Sequence, residues 1–343
     1  MAMFRRSAPD IKEAETVENV QDFFRKSKEG KKNSFLKKLF RNRNLGDVFF
    51  ERLTLFFAVL VFLLVILMVW EMYSNSLISI KKIGWHFLIG RTWDPVLRQI
   101  FGALPAIFGT LLSSFLALLI AVPLGISVAV FLSELSPGWL EKPLSFLTEL
   151  LAGIPSVIYG LWGIFVLVPW LQQTVEPFLQ DEFPNSPFFQ GAAYGYGMLA
   201  AALILSIMVL PIIASISRDV LKSVPSNQRE AAYALGATRW ELTKIVLGNA
   251  KTGLLGAVML GLGRAIGETM AVTMVIGNRP EISASLFSPA YTMASVLANE
   301  FTEATSNLYL GALIELGLVL FIITIIINIM ARLLVWGVER RWK

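Results

Sequence analysis

The chain has 343 residues, 55% of them hydrophobic, with a mean hydropathy of +0.63 and a formal charge of +5. Runs of roughly 20 apolar residues recur along it, which excludes an ordinary water-soluble domain and indicates an all-α, polytopic membrane protein. With no Cys and a single His, His86, it has no disulfide framework, thiolate metal site or His cluster, and without a GxxxxGK(S/T) loop any ATP must be held by another chain.

Residues 1–52 form a basic arm in which Arg25, Lys26, Lys28, Lys31, Lys32, Lys37, Lys38, Arg41 and Arg43 follow closely. The apolar run behind it is too late and too long for a secretory signal, and no small-residue cleavage site follows. Such an arm is expected to sit in the cytoplasm, in solvent or against anionic headgroups at roughly 1 kcal/mol per basic residue.

Residues 53–103 read as a first transmembrane helix, about 53–73, followed by an extracytoplasmic interfacial segment, 76–98. Trp70 and Tyr73 anchor the helix, and Trp85, His86 and Trp93 mark the segment, with His86 an interface residue rather than a ligand. Residues 104–343 then hold five further spans. The second, 104–132, starts at Pro105 and has Pro123 placed to kink it. Pro137, Gly138 and Pro143 mark the next stretch as a loop. The third span, 146–171, carries Gly153, Pro155, Gly160 and Gly163, and Glu149 near its start is read as snorkelling to the interface rather than as a functional carboxylate. Residues 172–190 hold Glu176, Asp181 and Glu182 without Lys or Arg, which suits an outer loop.

The fourth span, 192–217, contains Pro211. After it, Arg218, Lys222, Arg229, Arg239, Lys244 and Lys251 place a loop at about 219–252 in the cytoplasm. The fifth and sixth spans are 253–277 and 308–336. About six spans put both termini inside; only Lys81, Lys82, Arg91 and Arg98 run against that orientation.

Arg264 and Glu268 fall in the fifth span, four apart on one helical face. Ionisable groups at membrane depth are costly and are functional candidates by default. A guanidinium fork matches the oxygens of a phosphate or carboxylate, and Glu268 can serve as its resting counter-ion. The alternative is a pair that pins helices together. Gly256, Gly261, Gly263 and Gly267 favour close packing, with a GxxxG spacing from Gly263 to Gly267. So few spans make a thin wall for a pathway, and a second transmembrane subunit is expected. The preceding loop, EAAYALGATRWELTKIVLG, patterns as two short helices around Gly236 with an apolar ridge. It is either a knob for a partner's groove or an amphipathic hairpin on the bilayer.

Glu230, Ala231 and Ala232 followed by Gly236 are similar to the EAA loop of bacterial binding-protein-dependent ABC importer permeases. GLGRAIGETMAV, together with LSPGWLEKPL, ELLAGIPSVIYGLWG and SVLANEFTEA, resembles the phosphate-specific transport permeases of the PstC type. The resemblance runs in colinear blocks from Leu53 to the C-terminus. It implies a type I importer (MetI-like) permease fold in a bacterial inner membrane, and a transport subunit that is not itself an enzyme. Phosphate would pass Arg264 and Glu268. Glu230, Ala231, Ala232, Gly236 and Trp240 would dock on the ATPase. The implied partners are a PstA-type second permease, a PstB-type ATPase dimer that holds ATP and Mg, and an external PstS-type phosphate-binding protein. No cofactor or metal on this chain and no nucleic acid are implied. Two features depart from the family: Gly248 follows Leu247 where a Leu-Pro pair is usual, which questions the end of the loop, and the basic arm is longer. The alternatives are a permease for sulfate or molybdate and an ATP-independent secondary transporter.

Overall fold

The computed structural model describes residues 45–340, so the basic arm up to Arg43 lies outside the described residues. Six helices among these residues are long and apolar enough to cross a membrane. Met68 and Val69 mark the border between two units.

Helix α1, Leu45–Ile83, spans that border. Its first part carries exposed apolar side chains such as Leu55, Phe62 and Ile66. The helix runs well past the expected end at Tyr73, because no Gly or Pro intervenes before Gly84, whose φ of +60° terminates it. Residues 76–83, expected in an interfacial segment, are therefore helical. A one-turn helix, α2 (His86–Ile89), and an antiparallel pair, β1 (Trp93–Asp94) with β2 (Ile100–Phe101), follow. Trp85 and His86 are exposed, whereas Trp93 is buried against Phe87 and Phe101.

Helix α3, Leu104–Val130, continues into a π-helical turn, Phe131–Leu135. The stretch expected as a loop is instead helix α4, Gly138–Ala152, which begins after Pro137 and contains Pro143. Gly153 ends α4, and Pro155 starts the span α5, Ser156–Glu182, because Pro forces the preceding residue towards extended backbone. The third span thus starts ten residues later than its apolar pattern predicts and runs into the expected outer loop. Two π turns, Gly163–Leu167 and Leu171–Val175, flank Pro169, which lacks an N–H for the helical ladder.

The fourth span, α6 (Met198–Lys222), packs against α3 and the fifth. Apolar side chains gain little by leaving lipid, so van der Waals fit between small residues sets these contacts. A Cβ on Gly125 of α3 would lie 2.9 Å from the Ile213 side chain, and one on Gly253 would lie 2.4 Å from that of Val220. The short helix α7, Ser226–Ala234, leads to α8, Arg239–Ile266. The expected second short helix of the loop is the beginning of α8, which passes Gly248 without a break. Thr238 starts α8 with a capping box: its hydroxyl accepts the Glu241 N–H while the Glu241 carboxylate accepts the Thr238 N–H. After Ile266 come α9 (Met270–Val275), α10 (Met293–Glu300) and the sixth span, α11 (Asn307–Arg340). Met198, Ile204 and Leu205 of α6 bury with Val272, Val275 and Ile276 in the largest apolar cluster.

Candidate functional site

Arg264 lies in the last turn of α8, and Glu268 lies beyond its end. The sequence places both on one continuous helix; the structure breaks that helix at Gly267, whose N–H reaches the Gly263 carbonyl at 3.2 Å before α9 begins. The pair still meets, with Arg264 Nη2 at 3.4 Å from Glu268 Oε2. The environments of the two groups differ: 46% of the Arg264 side chain is exposed, against 4% for Glu268. Glu268 Oε1 also accepts the Ala271 N–H at 3.4 Å, which turns the carboxylate into the break and towards the start of α9. Leu260, Gly267 and Met270 are exposed beside Arg264. The guanidinium therefore stands on an open face, with donors left over beside a fixed counter-charge.

The glycines of this span divide by role. Gly261 approaches α6, where a Cβ would meet Ile213 and Val209 at 2.9 Å. Gly256 and Gly263 have nothing within 4 Å, and a Cβ on Gly267 would meet only the Gly263 carbonyl at 3.4 Å. The Gly263–Gly267 spacing is consequently no helix-packing seam within this chain.

At the other end of α8, the loop residues separate into core and surface. Ala232 is buried in a cluster with Leu221, Val224, Leu242 and Val246. It lies beneath α7, off the helix's exposed face. Glu230, Ala231 and Trp240 are exposed, as are Tyr233 and Leu235. Gly236 has φ +82°; its N–H bonds the Tyr233 carbonyl and the Ala237 N–H bonds that of Ala232, the paired closure of a Schellman cap. A Cβ there would meet nothing within 4 Å, so conformation, not space, selects glycine. The Lys244 ammonium sits 5.1 Å from the centre of the Trp240 ring.

Three ion pairs lie where α3, α4, α6 and α7 adjoin, and one of them reaches α7. Glu149 Oε1 accepts from Arg218 Nη2 at 2.8 Å, Glu141 pairs with Lys222, and Glu134 Oε1 accepts from Arg229 Nη2 at 2.9 Å. Lys222 holds the partly exposed Glu141 carboxyl below the usual carboxylate range through their hydrogen bond. Glu149, expected to snorkel, is half of one of these pairs.

Residues 121–342 match the family described as binding-protein-dependent transport system inner membrane component. Proteins named phosphate transport system permease protein PstC are 47% identical in Mesorhizobium japonicum, over 87% of this chain and 92% of the relative, and 46% identical in Pasteurella multocida, over 88% and 95%. The chain belongs to this permease family, in its PstC group. Among solved structures, a chain of the MetNI methionine ABC transporter aligns at a TM-score of 0.52 and 19% identity, over 68% of this chain and 94% of that one. A chain of a bacterial ABC transporter importing alginate aligns at 0.53 and 19%, over 82% and 96%. At that identity they establish the fold alone, that of type I importer permeases.

In this permease the departure at Gly248 is absorbed by α8, whose helical hydrogen bonds continue past a glycine with open space around it. Sequence reasoning missed these ion pairs. Glu134 is separated from Glu141 and Glu149 by the break at Ser136 and Pro137, and Arg229 lies on a separate helix from Arg218 and Lys222, so residue spacing does not announce them.

Proposed function

We propose that this permease carries inorganic phosphate across a bacterial inner membrane, together with a homologous second permease. The observation that carries the reading is Arg264, exposed at a helix break beside the buried Glu268, in a chain whose 46–47% identical relatives are named phosphate transport permeases. A guanidinium offers donors in a planar fork suited to a tetrahedral oxyanion, and one open contact of this kind releases its anion more readily than an enclosing cage. Glu268 compensates Arg264 between passages, which limits the cost of a lone charge at membrane depth.

The basic residues from Arg218 to Lys251 support a cytoplasmic location for α7 and for both termini. There α7, with Glu230, Ala231, Gly236 and Trp240, docks on an ATPase dimer that holds ATP and Mg, and Ala232 keeps the helix seated. Phosphate arrives from an external binding protein. Closure of the ATPases displaces α7; because α8 is unbroken from Trp240 to Arg264, that displacement reaches the anion contact along a single helix.

The test is ATP-dependent uptake of labelled phosphate by the complex reconstituted in liposomes. Uptake is expected to persist in excess sulfate or molybdate and to vanish when the chain is reconstituted alone. Equal competition by sulfate would contradict phosphate as cargo, and uptake by the isolated chain would contradict the ATP-driven reading.

A further inference from the structure

We propose that Arg229 and Glu134 are positioning residues for energy coupling, forming a fixed joint that makes α7 move as one body with the adjoining ends of α3 and α6. The proposal rests on the reading of α7 as the element that meets the ATPase.

The Arg229 guanidinium is used on all three of its nitrogens. Nε and Nη2 grip the Glu134 carboxylate at 3.3 and 2.9 Å, Nη2 also donates to the Leu221 carbonyl at 2.9 Å, and Nη1 donates to the Val224 carbonyl. Leu221 belongs to the last turn of α6, where its carbonyl also accepts the Val224 N–H at 3.3 Å, and Val224 follows it in the link to α7. One side chain on α7 thereby holds the end of the fourth span and, through Glu134, the π turn that closes the second. Glu134 is 5% exposed and Arg229 22% exposed, so water and salt screen the pair little.

The other two ion pairs differ in both reach and burial. Glu141 with Lys222 and Glu149 with Arg218 connect α4 to α6 and do not touch α7, and both of their carboxylates are solvated, at 31% and 57% exposure. Besides the joint, the contacts that hold α7 include Ala232 in its apolar cluster and Asn249 Nδ2 of α8, which donates to Gln228 Oε1 at 2.7 Å. A nine-residue helix has little stability of its own, so its orientation is whatever these contacts impose. Without the joint, α7 can tilt under load against one amide bond and a small apolar seat while α3 and α6 stay behind. ATP would then be hydrolysed without moving the spans.

The experiment measures phosphate taken up per ATP hydrolysed by the complex in proteoliposomes. Arg229→Gln and Glu134→Gln are each expected to lower that ratio by roughly tenfold while ATPase binding and hydrolysis persist, and the double variant is expected to be no worse than the poorer single one. Lys222→Gln, in a pair that does not reach α7, is expected to leave the ratio unchanged. Uptake and hydrolysis falling in parallel, or Lys222→Gln uncoupling as strongly, would overturn the joint. Where the single variants assemble poorly, the absence of native Cys permits Glu134→Cys with Arg229→Cys as the only thiols of this chain. A short thiol cross-linker is expected to restore the ratio, with the same yield in the presence and absence of ATP. Bridging that blocks transport, bridging that restores nothing, or a yield that falls on ATP binding would each refute a fixed joint. The yield does not depend on the cargo, so absence of phosphate uptake by the wild-type complex would count against the proposed substrate and leave this measurement decisive for the joint.

Discussion

The two ends of α8 are built on opposite principles. At the Trp240 end, the chain is pinned by a capping box, a Schellman cap, an apolar cluster beneath Ala232 and the Arg229–Glu134 ion pair. At the Arg264 end, one 3.4 Å pair spans a helix break, and much of the guanidinium is open. A segment that transmits displacement has to be stiff where force enters, whereas a transit site has to grip weakly enough to let go. A single helix joins the two, so perturbations at its ends should be separable: those at Arg264 strike cargo, and those around α7 strike assembly or coupling.

Arg264→Gln gives the largest expected effect. It keeps size and some hydrogen bonding but removes the charge, and uptake should fall by roughly a hundredfold, with the complex still co-purifying. Next come the close approaches along α8. Gly253→Leu drives side-chain atoms into Val220, and overpacking of this kind costs about 1–3 kcal/mol, visible as a lowered unfolding temperature in detergent. Gly256→Ala, where no atom lies within 4 Å, should leave the temperature unchanged or raise it, because Ala is the better helix former. If the two substitutions behaved alike, the division of the glycines into packed and open would fail.

A smaller effect is expected at Gly236. Its positive φ penalises any L side chain while the surrounding space penalises none, so Gly236→Ala and Gly236→Leu should weaken ATPase binding similarly, by about 1–2 kcal/mol, and Gly236→Asn by less. A loss that grows with side-chain size would mean that Gly236 touches the partner directly. The smallest effect concerns pH. Glu141 is held below its ordinary range, so its ionised form contributes stability above the unfolded carboxylate pKa, and that contribution disappears as pH falls through the lower folded value. Glu141→Gln should remove this slight acid sensitivity from the melting curve, and high salt should blunt it in the parent chain.

Hydropathy made the six spans legible, and charge spacing made Arg264 and Glu268 legible as partners. What escaped lay where local grammar and tertiary contact disagree. Pro137, Gly138 and Pro143 read as loop punctuation, yet Pro137 and Gly138 stand at the start of α4, and the helix continues through Pro143, which lacks an N–H for the helical ladder. The break after Ile266 was hidden by an apolar pattern that continues through it, although Gly261, Gly263 and Gly267 weaken the helix there. Ala232 stands in the same short motif as the exposed Glu230 and Ala231 yet is buried; composition cannot separate buried from exposed alanines, since a small residue suits both. Conversely, Gly248, where the family pattern fails, does not interrupt α8; one glycine within a long capped helix costs only about 1 kcal/mol.

The most direct test measures binding-protein-stimulated ATP hydrolysis and phosphate uptake in the same proteoliposomes, for the parent complex and for Arg264→Gln. Hydrolysis that continues while uptake is lost, in an intact complex, is the expected result. A variant that fails to assemble would return Arg264 to the role of a packing residue, and one that transports normally would remove it from the pathway.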